Sequence, residues 1–206
     1  AQTVIKGSVW SIGVNTGENL RLKQVAGGGM AVDNIDGDVI VGSSPDIATN
    51  RWHHSAVVYD GTELTLYIDG IEEGKASIAL TMEGTGFRIG RGTFDFANFW
   101  EGAIDEIRIW DYARTKSEIF DYLFLNVDGT EVGLVHSYNF NETAGTALPD
   151  LTGGTNGTTV NMDDLNWQSS EAVEKQLNRS AGAGVWTTAA IWSRGVPIAI
   201  DSVIIG

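Results

Sequence analysis

Asp105 is the side chain whose setting asks most of chemistry. The segment Ala103 to Ile109 reads as a strand in which positions 103, 105, 107 and 109 share one face, so Asp105 falls in register with Ile107 and Ile109. A carboxylate on a half-buried apolar face is costly unless a cation or several hydrogen-bond donors satisfy it. The other carboxylates offer less. Asp33, Asp36 and Asp38 gather around Gly37 without the D-x-D-x-D-G spacing and distal Glu of an EF-hand loop, so they read as a solvated hairpin turn, as do Asp163 and Asp164. Retaining glycoside hydrolysis needs two carboxylates about 5 Å apart. A strand supplies these from same-face positions such as E-x-D-x-x-E. The nearest candidate, the segment Glu101 to Glu106, does not fit, because its Asp105 comes four residues after Glu101 and Glu106 falls on the strand face opposite Asp105. With no G-x-S-x-G elbow, no Ser-His-Asp pattern and no phosphate loop, the chain is expected not to be an enzyme.

His53 and His54 are strand neighbours that point to opposite faces, so they read as packing or cross-strand hydrogen-bonding residues, and so does His136. Aromatic residues give a different kind of site. Phe94, Phe96, Phe99 and Trp100 cluster in a loop between two strands, where an exposed ring can stack on the apolar face of a pyranose. These four are the candidate ligand-binding residues.

Positioning such groups falls to short strands. Segments around Val4-Ile5, Val9 to Ile12, Leu20 to Leu22 and Val39 to Val41 are separated by Asn15-Thr16-Gly17, Gly27-Gly28-Gly29 and Asp36-Gly37, the punctuation of an antiparallel meander. The strand His54 to Tyr59 runs into Asp60-Gly61, then Leu64, Leu66 and Ile68 alternate up to Asp69-Gly70. Such Asp-Gly pairs predict type I′ hairpin turns. Further strands are expected at 87–90, 102–110, 134–140 and 158–162. Thr115 and Glu118 form a capping box for one helix over 115–124, packed through Ile119, Phe120 and Leu123. Core positions are expected at Trp52, Tyr59, Leu66, Ile68, Ile89, Ile107 and Ile109.

The 206 residues are 42% hydrophobic and only 19% charged, so the chain can bury a core. Twenty-six Gly against 3 Pro suit an all-β chain. A net charge of −14 argues against nucleic acid and against anionic membrane surfaces, because no basic stripe exists to displace counterions. Cations and neutral glycans remain as partners. The absence of Cys excludes disulfides and thiolate chemistry. No stretch reaches the roughly 20 apolar residues of a membrane helix, so no membrane insertion is expected.

The run Arg51-Trp52-His53-His54-Ser55-Ala56-Val57-Val58-Tyr59-Asp60-Gly61, followed by Leu66-Tyr67-Ile68-Asp69-Gly70, resembles the central hairpin of laminin G-like domains in bacterial extracellular proteins, W-H-x-x-A-x-x-Y-D-G and then L-Y-V-D-G. The likeness continues at Phe87 to Gly90, and at Phe99 to Trp110, which is similar to G-x-I-D-E-V-R-I-W. It closes with Leu134 to Phe140, Gly145, Asp150 and Asn156-Gly157-Thr158. This resemblance implies a two-sheet antiparallel jelly-roll sandwich of the concanavalin A-like kind, all-β with one short helix. It also implies that Asp105 supplies a calcium ligand at the sandwich edge, calcium being a cation that takes carboxylate and carbonyl oxygens. Opening strands resembling F-D-G-x-x-D-Y-V and F-T-I-E-x-W-V-K are not found, so the domain is expected to lack its first strands. The tail from Gly184 to Ile205 resembles the start of repetitive β modules in surface proteins of gliding, type 9 secreting bacteria.

The organisation expected is a sandwich at 1–168, a linker at 169–184 and the start of a further β module at 185–206. The expected function is non-catalytic binding of glycans or cell-surface ligands by a secreted, surface-located adhesin, in contact with other modules of a long chain or with a secretion machinery. Two alternatives stay open. One is an accessory or catalytic sandwich of a secreted polysaccharide-degrading enzyme, and the other is a structural spacer in a filamentous adhesin.

Overall fold

The computed structural model describes residues 8–13, 20–34, 39–42, 47, 52–80, 86–92, 99–123 and 125–169, together with the backbone of 177–179 and 202–204. The expected strand at Val4-Ile5, the carboxylates Asp36 and Asp38, the rings Phe94 and Phe96, and residues 185–201 lie outside these. Packing divides the chain into two units, 1–104 with 112–120, and 105–111 with 121–206.

The first unit is a sandwich of two antiparallel sheets. Strands β1 (Ser8–Ile12), β2 (Leu20–Gln24), β3 (Met30–Asp33), β4 (Val39–Gly42) and β8 (Phe87–Ile89) form one sheet in the order β4-β3-β2-β1-β8. The other is the meander β5 (Ser55–Tyr59), β6 (Glu63–Ile68) and β7 (Ile71–Ser77). Period-two alternation decides which side chains meet. Leu20 and Leu22 of β2, Met30 and Val32 of β3 and Val41 of β4 face Leu64, Leu66 and Ile68 of β6 in one buried cluster. Leu22, Leu64 and Leu66 are wholly buried, each stabilising by about 2 kcal/mol. Leu66 and Ile68 therefore take their expected core places. Tyr59 is half-buried against the same cluster, and Trp52, Ile89, Ile107 and Ile109 are also half-buried.

The two Asp-Gly pairs resolve differently. Ile68 pairs with Ile71 across Asp69-Gly70, with φ of 51° and 76°, the positive pair that a type I′ turn demands. At Asp60-Gly61 the turn falls one residue later. Asp60 pairs through its N–H with the Glu63 carbonyl, and its side chain accepts the N–H groups of Thr62 and Glu63, so only Gly61 needs a positive φ.

Asp33 corrects the turn reading. It lies on β3, fully buried, where its carboxylate takes two hydrogen bonds from Arg21 (2.9 and 2.6 Å) and an ion pair from Lys23. Alternation puts Arg21 and Lys23 on the face of β2 away from the core, and register sets Asp33 opposite Arg21.

The second unit is built from small sheets. Strand β9 (Ile107–Trp110) pairs with β10 (Leu134–Tyr138), β11 (Ala147–Leu148) with β12 (Gly157–Thr158), and β13 (Leu177–Arg179) runs parallel to β14 (Ser202–Ile204). Asp163 caps a single 3-10 turn at Asp164–Asn166.

The helix α1 (Lys116–Tyr122) starts where the capping box places it. Glu118 donates its N–H to the Thr115 hydroxyl at 3.3 Å and its carboxylate accepts the Thr115 N–H at 2.8 Å. Ile119 and Leu123 are buried, but Phe120 is 54% exposed, contrary to its expected packing role. The pair at i and i+4 defines a stripe too narrow to include the residue turned about 100° away. Ile119→Ala is expected to lower stability by about 2 kcal/mol and Phe120→Ala by less than about 0.5 kcal/mol in urea denaturation.

Candidate functional site

A rim of the five-stranded sheet assembles around the end of β8. Phe87 and Ile89 point toward Trp10 and the core side, which leaves Arg88 exposed on the other face, opposite Ser11 in register. Gly90 extends the pairing through its N–H to Val9, then a φ of 78° turns the chain. That turn brings the Arg91 carbonyl back to accept the buried Ser11 hydroxyl at 3.0 Å. The Gly90 carbonyl in turn accepts the Trp100 N–H at 2.8 Å, so the Phe99-Trp100 segment is tied to the strand end.

The Trp100 indole is held on two sides. Its Nε1–H donates to the Ala103 carbonyl at 3.4 Å, and it lies over Gly102, where a Cβ would come within 2.9 Å of Nε1. Phe99 beside it is 52% exposed. The arrangement offers a fixed indole next to an open ring, apolar area that suits the C–H face of a sugar. Of the four aromatic candidates, Phe99 and Trp100 are adjacent on this rim.

Asp105 sits otherwise than the sequence suggests. Strand β9 begins at Ile107 rather than Ala103, and Glu106 has φ 55°, so the alternation does not reach back to Asp105. The Asp105 carboxylate, half-buried, accepts the Glu106 N–H at 2.9 Å. Burial pushes the Glu106 carboxyl up, the neighbouring Asp105 charge adds to this, and the Arg108 guanidinium at 2.7 Å opposes it. Arg108 also donates to the carbonyls of Tyr122 and Leu125. Among the described residues no three acidic or histidine side chains converge, so a calcium ion at Asp105 would draw most of its roughly six to eight oxygens from carbonyls and water.

Two histidines share one device. His53 Nδ1 lies 2.9 Å from Asp69 Oδ2 while Asp69 Oδ1 accepts the His54 N–H. His136 Nδ1 lies 2.5 Å from Asp150 Oδ2 while Asp150 Oδ1 accepts the Ser137 N–H. In each, an Asp holds a His ring and the next backbone amide, which is the hydrogen-bonding role expected of His53 and His136. The partner of His136 was not legible, although Asp150 in a turn-rich stretch was its signal.

Residues 1–120 match a laminin G-type family model described as the concanavalin A-like lectin/glucanases superfamily. The chain belongs to that superfamily. No curated protein matches it. A crystal structure from Bacteroides ovatus ATCC 8483, of a protein assigned as carbohydrate binding, is similar at a TM-score of 0.60 with 22% identity, over 75% of this chain and 47% of the other. The chain thus spans about half the length of that relative, and at this identity the likeness is one of fold. An S-layer domain-containing protein from Clostridium thermocellum ATCC 27405 is 22% identical over 59% of this chain and 64% of the other, with a TM-score of 0.33.

Proposed function

We propose that this chain is a non-catalytic carbohydrate-binding module of a secreted, cell-surface protein, gripping its glycan on the Phe99-Trp100 rim. The observation that carries it is the open Phe99 ring beside an indole fixed by Ala103 and Gly102. A superfamily of lectins and glucanases and the carbohydrate-binding assignment of the Bacteroides ovatus protein support the same class. Adhesion through such a module, followed by a further β module and export by the type 9 route, extends the reading to the whole protein.

A glycan array on the purified chain tests it, followed by titration of the best ligand. Trp100→Ala or Phe99→Ala is expected to weaken binding about tenfold, near 1.4 kcal/mol for one lost stacking surface. Gly102→Ala displaces the indole and should weaken binding in the same direction. Hydrolysis of a bound glycan would move the chain to the glucanase side of its superfamily. Unchanged affinity in all three variants would remove the rim as the site.

Calcium at Asp105 belongs to the same proposal. A cation there would offset the unfavourable proximity of the Asp105 and Glu106 carboxylates. If calcium binds the folded chain alone, it raises the melting temperature following RT ln(1 + [L]/Kd), and Asp105→Asn removes that gain. Equal melting temperatures with calcium and with chelator would leave Asp105 a structural carboxylate.

A further inference from the structure

Cations concentrate on one face of the five-stranded sheet in a chain that is otherwise strongly acidic. Its strands carry Arg21, Lys23 and Arg88 against the single acid Asp33, a surplus of two positive charges in a protein of net charge −14. All four project from the side away from the core. Register places Arg88, Ser11, Arg21 and Asp33 in one row across β8, β1, β2 and β3. Asp33 engages Arg21 and Lys23. Arg88, at the open end of the row, is exposed, and no acid on the sheet stands opposite it.

The chain runs directly from Arg88 to the strand end that holds the aromatic rim. Two residues further on, Gly90 holds the Trp100 backbone, and the Ser11 hydroxyl, whose register partner is Arg88, is fixed to the Arg91 carbonyl. A neutral sugar needs no guanidinium beside its stacking surface. A carboxylate does, because the planar fork of Arg matches its two oxygens and a charge-assisted pair is about twice as strong as a neutral hydrogen bond.

We propose that the rim selects a carboxylate-bearing sugar, a uronic acid, with Arg88 receiving the carboxylate while Phe99 and Trp100 hold the ring. This rests on the glycan-binding reading of the rim and narrows it. The net charge adds a second selection. A field of −14 repels a densely charged polymer at ranges up to a Debye length of about 10 Å in 0.1 M salt, whereas an isolated acidic sugar on a neutral backbone feels mainly the local Arg.

The test uses matched polymers that differ in charge alone: glucuronoxylan and polygalacturonate, each against its carboxyl-reduced form, with retention of the whole chain measured by affinity electrophoresis. The expected result is at least tenfold stronger retention by glucuronoxylan than by its reduced form, less preference for polygalacturonate, and loss of the acidic preference in R88Q with an unchanged melting temperature. Raising the salt should weaken the acidic retention. Equal retention of the acidic and reduced forms, or an R88Q variant that keeps the preference, overturns the acidic-sugar inference and leaves glycan binding standing. Failure of both forms to retain the chain overturns it as well, and the glycan array with Phe99→Ala then decides separately whether the rim binds sugar.

Discussion

Asp33→Ala is expected to lower the unfolding free energy by about 3 kcal/mol. The carboxylate has no solvent access, while the Arg21 and Lys23 side chains keep 17% and 20% of theirs. Removing one member of a buried ion pair strands the rest, at a cost of about 3 to 5 kcal/mol in a dry site. Partial access to water for the two cations places the expected loss at the lower end. Arg21→Met with Lys23→Met and Asp33→Leu together should cost much less than Asp33→Ala alone, since no uncompensated charge is left. Urea denaturation of the two variants measures the difference. A loss below about 1 kcal/mol for Asp33→Ala would mean that both cations swing into solvent and that the cluster is electrostatically slack.

How far the sequence reached depends on whether a residue's partner is local. The β5-β6-β7 meander was legible because alternation in Leu64, Leu66 and Ile68 and the two Asp-Gly pairs are local signals, and the cluster around Leu66 follows from them. Strand β3 was not, because four residues between Gly29 and Asn34 give too short a pattern and Asp33 resembles a turn residue. Its burial is decided by cations ten and twelve residues earlier. Arg21 and Lys23 alternating with Leu20 and Leu22 were the available signal, since two cations on one strand face call for an anion across the sheet. Asp105 failed for another reason. Whether a strand extends one turn further is set by the backbone at Glu106, whose φ of 55° no side-chain pattern announces.

The same distinction separates the rim from the loop that supplies it. Clustered Phe and Trp mark the loop from sequence alone, but the tie from Trp100 to Gly90 and the Ser11 bond to Arg91 join residues about 10 and 80 positions apart. Arg88 gains meaning only from that register. On a strand read alone it is one exposed cation, and the register sets it in one row with Ser11, Arg21 and Asp33.

Asp150→Ala is the second large loss expected, about 3 kcal/mol, and it carries a pH signature. Asp150 Oδ1 accepts the N–H of Ser137 at 3.0 Å and both the N–H and hydroxyl of Thr152, while Oδ2 meets His136. Ser137 is fully buried, so its amide has no water to turn to once the carboxylate is gone, and an orphaned buried donor costs about 1 to 3 kcal/mol. Gly154 packs so closely that a Cβ there would sit 2.6 Å from Asp150 Oδ2, so the loop has little room to rearrange around the loss. Burial alone would raise the Asp150 carboxyl, but the bonds from Ser137, His136 and Thr152 outweigh it and hold the group below its ordinary value. A carboxyl whose folded pKa is depressed contributes stability that is present above its unfolded value near 3.9 and is lost as pH falls through the folded value. Asp150→Asn keeps an oxygen for the Ser137 amide yet carries no titrating charge. Its deficit relative to wild type should therefore be greatest above about pH 5 and shrink steadily as the solution is acidified below pH 4. A deficit that stays constant from pH 7 to pH 3 would show that hydrogen-bond geometry alone, without the charge on Asp150, holds this loop to β10.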